Sequence, residues 1–225
     1  MSHRVHHALP GLTWVRLSLL VGGLLTVAWT WWAARGLDAR VVSDGLLFIV
    51  VPGALAVAFH HDLGVRFDRQ AARNTVLLAA LVLPFYVVGS SLPTVRAYYP
   101  MWGLDSTAPA AFLPHAAKQL VVVVAAEVYY RGFLCVGVRE LGFKSVFISP
   151  VVYAFHHLGK PPIELLLSGP TDVLFGAFDY DGNSLLPSVV AHGLGLILLD
   201  WLVLHEPVIP PETVVNWLQW LPVPL

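Results

Sequence analysis

Two opposite charges stand four residues apart inside an apolar run. The run reads VVVVAAEVYYRGFL, covers residues 121–134 and contains Glu127 and Arg131. Residues spaced i,i+4 share one helix face, so this carboxylate and this guanidinium can pair. Charges are costly inside a membrane, and ionisable groups there are candidates for a functional site. For the pair alone, a structural salt bridge in the interior of a helix bundle is an equally good interpretation.

Histidines in two later apolar runs can complete a site with this pair. His157 ends SVFISPVVYAFHH, and His192 lies in LLPSVVAHGLGLILLD. At a helical rise of about 1.5 Å per residue, Glu127 and His157 lie roughly 18 and 20 Å from the basic turn 139–144. His192 lies about 12 Å beyond the DYDGNS turn by the same arithmetic. A single histidine in such a run is more often a packing residue, but three groups at a similar depth indicate a site.

The chemistry that fits these groups is peptide hydrolysis by an activated water. A buried carboxylate, Glu127, can act as the general base. Arg131 would hold that carboxylate in place, and the two histidines would orient the water and stabilise an oxyanion. No serine or cysteine stands beside a histidine as an obvious covalent nucleophile.

The composition predicts that these residues lie in an integral membrane protein. The chain has 225 residues, of which 57% are hydrophobic and 12% charged, with a mean hydropathy of +0.71. A soluble domain carries about a quarter charged residues, so lipid is the expected solvent. The net charge of −1 offers no basic face to nucleic acid. The single cysteine, Cys135, excludes an internal disulfide framework and is expected to be a small buried residue.

The apolar runs predict an all-α fold, a polytopic transmembrane bundle of about seven helices. The predicted helices cover 13–34, 44–60, 74–92, 111–138, 145–158, 163–177 and 185–204. Sequences rich in turn residues connect them, among them HHDLGVRFDRQAARN and GKPP. The positive-inside rule places the basic loop around 66–73 and the turn at 139–144 in the cytoplasm, with the N-terminus inside. The expected location is the cell membrane.

Three motifs in order resemble the CPBP family of intramembrane glutamic proteases, which includes the CAAX prenyl endopeptidases and is also called the ABI family. The motifs are Glu-x-x-x-Arg-Gly from Glu127, Tyr-x-x-x-His ending at His157, and the later His192 in an apolar run. The resemblance covers about residues 110–204. It implies an intramembrane endopeptidase in which Glu127 activates water, Arg131 positions that carboxylate, and the histidines orient water and oxyanion.

Two positions depart from the usual pattern of this family. The first residue of its glutamate doublet is Ala126 here, and the asparagine that helps to bind the oxyanion is Leu196. Taken literally, these departures would describe an inactive protease. The resemblance then assigns the role of general base to the remaining carboxylate, Glu127.

A branch of the family with a single glutamate is the better fit. That branch has a His-x-Gly-Lys-Pro-x-x-Glu stretch and an aspartate eight residues after the last histidine. This chain reads HHLGKPPIE at 156–164 and has an aspartate eight residues after His192. The alternative for these residues is a helix-boundary ion pair and a cap. The second-tier site candidates are Lys160, Glu164 and Asp200.

The resemblance implies chemistry without a metal or other cofactor. A less favoured alternative is a zinc site with an open position, made by Glu127, His157 and His192. No His-Glu-x-x-His run is present.

We expect one integral membrane unit in three parts. Residues 1–109 hold N-terminal helices and loops, 110–204 the CPBP-like protease core, and 205–225 a tail rich in proline and tryptophan. The expected partners are the lipid bilayer and a membrane-anchored protein or peptide substrate, and no nucleic acid.

Two functions from other classes stay open. One is a non-catalytic family member that binds membrane peptides in an immunity or scaffold role, which the departures at Ala126 and Leu196 favour. The other is a proton-coupled transporter that uses the same ionisable residues. No inverted repeat or pair of broken helices in the sequence supports a transporter.

Overall fold

The fold is all-α over residues 13–225, the part of the chain that the computed structural model describes. The basic start of the chain, residues 1–12, lies outside the described residues. The prediction of a cytoplasmic N-terminus concerns these residues, so it also falls outside the described part of the chain. The α-helices are α1 Trp14–Trp32, α2 Leu37–Asp44, α3 Val51–Phe59, α4 Arg69–Gly89, α5 Pro93–Tyr98, α6 Pro109–Glu127, α7 Ser149–His156, α8 Pro162–Gly182, α9 Leu186–Val203 and α10 Pro211–Leu218. π-Helical segments cover Gly45–Val50 and Val128–Phe133, and 3-10 segments cover Met101–Gly103 and Val136–Phe147.

Five helical segments are long and apolar enough to cross a membrane. They are Trp14–Trp32, Leu37–Phe59, Arg69–Gly89, Pro109–Phe133 and Leu186–Val203. The prediction of an all-α, polytopic membrane bundle is confirmed, whereas the count of about seven helices is not. The predicted helix 145–158 is the eight-residue α7, which is too short to span a bilayer. The predicted helix 163–177 is the longer α8, whose acidic residues set it apart from the five spans.

The start of α4 lies five residues before the predicted one. The structure begins this helix at Arg69, because the Asp68 carboxylate accepts a hydrogen bond from the Ala71 N–H at 2.9 Å. A side-chain acceptor of this kind satisfies one of the free N–H groups of the first turn. The polar residues that follow, predicted as a loop, are therefore the first turn of a membrane helix.

Two other spans have different ends from those predicted. The second span begins at Leu37 rather than at 44, because a π-helical segment joins α2 to α3 without a break. The fourth span ends at Phe133 rather than at 138, where the chain leaves the helix and continues in 3-10 turns. The tail also contains α10, which was not predicted.

One end of the bundle gathers the most basic connections, and we call it the basic end. There Leu185 N–H donates to the Gly64 carbonyl at 2.9 Å and the Ser184 hydroxyl to the Arg66 carbonyl at 2.7 Å. The Trp14 indole at the start of α1 donates to the Gly137 carbonyl at 2.6 Å. These bonds join the connections before α4, after α6 and before α9. The cations of this end are Arg66, Arg69, Arg73, Arg139 and Lys144.

The opposite end is held together by one guanidinium. Arg96 of α5 donates to the carbonyl oxygens of Val203 at 2.9 Å and His205 at 2.7 Å, and to that of Ser90 at 3.0 Å. The first two carbonyls belong to the end of α9, where helical partners run out. In the middle of the bundle, Leu78, Phe175 and Ala191 pack α4, α8 and α9 together.

Candidate active site

Glu127 is fully buried at the point where α6 passes into the π-helical segment Val128–Phe133. Such segments are rare and occur frequently at functional sites. The Glu127 Oε2 atom lies 3.1 Å from Arg131 Nε on the same segment. Its Oε1 atom lies 2.6 Å from Nδ1 of His192 on α9. The carboxylate therefore has one partner on its own span and one on another.

The Arg131 guanidinium lies between two carboxylates. Besides Glu127, it meets Asp172 of α8, whose Oδ1 atom is 2.9 Å from Arg131 Nη2. The other Asp172 oxygen accepts a hydrogen bond from the Ser149 hydroxyl at 2.5 Å. Arg131 is fully buried and lies 4.8 Å from the centre of the Tyr153 ring, a favourable position for a cation. One cation thus links α8 and α7 to the segment that carries Glu127.

Asp172 was missed by the sequence analysis. The available signal was an aspartate in the predicted helix 163–177, within the apolar sequence LLLSGPTDVLFGAF. An acidic residue in such a run requires a partner, but the sequence alone does not say which cation it meets.

His157 at the end of α7 joins the site through Tyr153. Its ring lies 4.1 Å from the Tyr153 ring, which also contacts the Arg131 guanidinium. His157 Nδ1 lies 2.8 Å from the Tyr153 carbonyl oxygen, so this nitrogen donates. In the neutral imidazole, Nε2 then carries a lone pair. His192 and Arg131 lie within electrostatic range of this histidine.

Lys160 and Glu164, both second-tier candidates, lie next to His157. The Lys160 Nζ atom is 3.4 Å from His157 Nε2 and 3.9 Å from Glu164 Oε2. The Tyr99 hydroxyl donates to the same Glu164 oxygen at 3.0 Å. Burial lowers the pKa of the Lys160 ammonium, and the Glu164 carboxylate acts in the opposite direction. The structure thus connects these two residues to the predicted site.

Asp200 belongs to a different polar group. Its Oδ2 atom accepts from the Gln119 amide at 2.7 Å and lies 3.3 Å from His115 Nε2. Asp200 follows His192 by eight residues of continuous helix, or about 12 Å. The structure therefore places Asp200 with α6 residues other than Glu127, and its role in a site stays a prediction.

The two positions that depart from the family pattern are both in apolar surroundings. Ala126 packs against the cluster that contains Phe48 and Tyr129. Leu196 is buried in the cluster that contains Val123 and Leu199. Neither position brings a polar side chain to the site, so Glu127 is the carboxylate that contacts both Arg131 and His192.

The depth of the site differs from the prediction. Because the span ends at Phe133, Glu127 lies about 9 Å from the basic end of its helix and not 18 Å. His192 lies six residues into α9, which corresponds to the same depth. The predicted meeting of Glu127 and His192 occurs, but closer to the interface.

No group of three His, Cys, Asp or Glu side chains that could hold a metal ion occurs within residues 13–225. Glu127 and His192 touch, whereas the free nitrogen of His157 faces Lys160. This arrangement does not fit the alternative zinc site. Chemistry without a cofactor stays a prediction.

Residues 109–196 match the family model described as Rce1-like, type II CAAX prenyl endopeptidase Rce1-like. This segment is therefore similar to the CAAX-protease-like family. The match confirms the resemblance seen in the motifs, and it includes all four predicted catalytic residues: Glu127, Arg131, His157 and His192. The single-glutamate branch stays a prediction. Neither a curated protein nor a solved structure matches the chain. Together, the family match and the five candidate spans indicate a membrane endopeptidase of the CAAX-protease type.

Proposed function

We propose that the protein is an intramembrane endopeptidase in which the Glu127 carboxylate activates water for attack on a peptide carbonyl. The observation that carries this proposal is the buried Glu127, paired with Arg131 and bonded to His192 from a separate span. A buried carboxylate held from two sides keeps a defined orientation, as a general base requires. The family match over the same residues supports the assignment.

The proposed reaction is a balanced hydrolysis. Glu127 removes a proton from water, and the hydroxide oxygen forms a bond to the carbonyl carbon of the substrate. The resulting tetrahedral intermediate carries a negative charge on its oxygen. Glu127 then gives the proton to the amide nitrogen, the C–N bond breaks, and a carboxylic acid and an amine leave.

The hydrogen bonds of the two histidines favour a role in orienting water. His157 donates through Nδ1 to the Tyr153 carbonyl, and His192 Nδ1 faces Glu127. In their neutral forms both imidazoles therefore have Nε2 lone pairs. That of His157 faces the Lys160 Nζ atom at 3.4 Å, and that of His192 can accept a hydrogen bond from water. Arg131 fixes the base, and its contact with Asp172 prevents it from turning away.

The proposed substrate is a membrane-anchored protein or peptide. The family name points to prenylated C-terminal tails as one such class, and other tails anchored in the membrane fit the same site. We further propose that the protein belongs to the single-glutamate branch of the family and lies in the cell membrane. We also propose that its basic end faces the cytoplasm. The scissile bond would then enter the bundle close to the cytoplasmic interface.

A comparison of wild type with Glu127→Gln tests the reaction. Both are expressed in membranes together with a library of tagged single-pass substrates, and the fragments are identified by mass spectrometry. We expect fragments with wild type and none with Glu127→Gln, because the amide cannot accept the proton. The variant should stay folded, since Arg131 keeps its contact with Asp172. Glu212→Gln, on the exposed surface of α10, is the matched control and should cleave like wild type.

Two outcomes would contradict the proposal. Equal fragments from Glu127→Gln would remove the general-base role. Substrates that co-purify uncut with wild type, Glu127→Gln and Glu212→Gln alike would favour the non-catalytic binder. The apolar Leu196 is the structural argument for that alternative.

A further inference from the structure

Most hydrogen-bond donors around Glu127 are engaged, and the Arg131 Nη1 atom is one that has no partner among residues 13–225. Arg131 lies between Glu127 and Asp172, and the Nδ1 of His192 faces Glu127. The neutral histidines offer lone pairs, and Leu196 offers no polar atom. The oxyanion of a tetrahedral intermediate requires a donor at about 3 Å. A second donor from another part of the bundle would share the charge of the oxyanion.

Tyr86 of α4 contacts α9 at a glycine next to His192. A Cβ atom built on Gly195 would lie 2.1 Å from Cε2 and 2.4 Å from Cζ of the Tyr86 ring, well below the 3.0 Å that real Cβ atoms keep. Only glycine leaves room for the ring in this position. Gly195 follows His192 by three residues, so the two are neighbours on one face of the helix. The Tyr86 ring is thus held beside His192.

The same group of charges acts on the hydroxyl of Tyr86. Its hydroxyl lies within electrostatic range of Glu127, Glu164 and Arg131. Two other tyrosines near the site use their hydroxyls within the protein: Tyr99 bonds to Glu164, and Tyr130 bonds to His156. Among residues 13–225, the partly buried Tyr86 ring packs against apolar clusters that contain residues of α4 and α9, and its hydroxyl forms no hydrogen bond. This hydroxyl is free to donate to a substrate.

We propose that the Tyr86 hydroxyl donates a hydrogen bond to the oxyanion that forms on the scissile carbonyl, and that Gly195 makes room for it. The inference rests on the proposed function, because it concerns the same reaction. It assigns a catalytic residue on α4, outside the segment 109–196 that matches the family model. It also explains how a site with Leu196 can stabilise the intermediate.

Tyr86→Phe removes the hydroxyl and keeps the ring. We expect kcat to fall by about 10²–10³-fold, the usual effect of losing an oxyanion donor, with KM and the thermal midpoint unchanged. Affinity for a peptidyl trifluoromethyl ketone built on the cleaved sequence should fall by a similar factor, since its hydrate resembles the intermediate. Affinity for the uncleaved peptide, measured in the Glu127→Gln background, should not change. Tyr98→Phe, at an exposed tyrosine of α5, is the control and should match wild type.

A pair of glycine substitutions tests the position of the ring. Gly195→Ala places a methyl group inside the Tyr86 ring and should reduce kcat as Tyr86→Phe does. Gly193→Ala is the control: its Cβ would meet the end of the Leu120 side chain at 2.8 Å, which can move. We expect Gly193→Ala to retain turnover.

The outcomes separate this inference from the proposed function. Full kcat in Tyr86→Phe, with Glu127→Gln inactive, would overturn the role of Tyr86 and leave the protease intact. Equal losses of affinity for the ketone and for the uncleaved peptide would also overturn it, because the hydroxyl would then bind substrate and not the intermediate. No cleavage of any substrate by wild type would overturn both proposals.

Discussion

At the scale of single residues, a fully buried guanidinium is shared by two carboxylates from different helices. Arg131 uses Nε for Glu127 and Nη2 for Asp172, at 3.1 and 2.9 Å. Arginine can do this because its nitrogens form a rigid planar fork, whereas lysine presents a single point charge. The position therefore depends on the shape of the cation as well as on its charge.

Arg131→Lys should damage both stability and activity. A lysine ammonium can approach Glu127 or Asp172 but not bridge them, and one buried carboxylate then loses its partner. Breaking a buried pair costs about 3–5 kcal/mol, so we expect a lower thermal midpoint in detergent and at least a tenfold loss of cleavage. Arg73→Lys, at an exposed arginine of the basic end, should change neither. A wild-type midpoint in Arg131→Lys would show that the fork geometry does not matter.

The residue types of the site could be predicted only in part. The i,i+4 spacing predicted the contact of Glu127 with Arg131, since that contact is local to one helix. Asp172 and Tyr86 could not be predicted, because each meets the site through the packing of separate helices. Leu196 and Ala126 were identified as departures, but their apolar surroundings are visible only in the folded chain.

At the scale of elements, α9 is fixed at both of its ends by side chains from other helices. Its own N-cap position, Leu185, has no side-chain acceptor. Instead, the Asp179 carboxylate of α8 accepts from the Ser188 N–H at 3.1 Å and from its hydroxyl at 2.5 Å. Arg96 binds the carbonyls at the other end. His192 lies one turn beyond Ser188, so the first of these contacts sets its position.

Asp179→Ala should loosen the start of α9. Loss of a cap costs about 1–2 kcal/mol, and here it also frees the turn before His192. We expect faster amide hydrogen exchange over 186–192 and reduced cleavage. Asp181→Ala changes an exposed aspartate on the same helix that bonds to Gln70 and Asn74, and it should leave exchange in α9 as in wild type. Unchanged exchange in Asp179→Ala would show that the cap does not hold this helix.

Helix boundaries were predicted less well than helix existence. Apolar runs identified all five candidate spans, because hydrophobicity over about 20 residues is a strong signal. The start of α4 was missed because Arg69 and its polar neighbours resemble a loop, although Asp68 is a typical cap. The end of the fourth span was missed because residues 134–138 are as apolar as those before them, and tertiary contacts decide where the helix stops.

At the scale of the whole molecule, the orientation in the membrane can be measured with two cysteine substitutions. Cys135 is fully buried, so the natural chain offers no exposed thiol. Asp105→Cys and Glu140→Cys each add one exposed thiol, the first at the opposite end and the second at the basic end. With the basic end in the cytoplasm, a membrane-impermeant maleimide added to intact cells should label the first variant and not the second. Labelling of Glu140→Cys alone would place the basic end outside.

Glu127 lies much closer to one end of its span than to the other. The carboxylate lies about 9 Å from the basic end of its span and about 27 Å from the opposite end. A polar depression of about 410 Å³ lies at the basic end, lined by residues that include His61, Arg66 and Arg139. We therefore expect the site to exchange water and protons with one compartment only. Hydrolysis would then follow the acidity and ionic strength of that compartment, even when the solution across the bilayer is different.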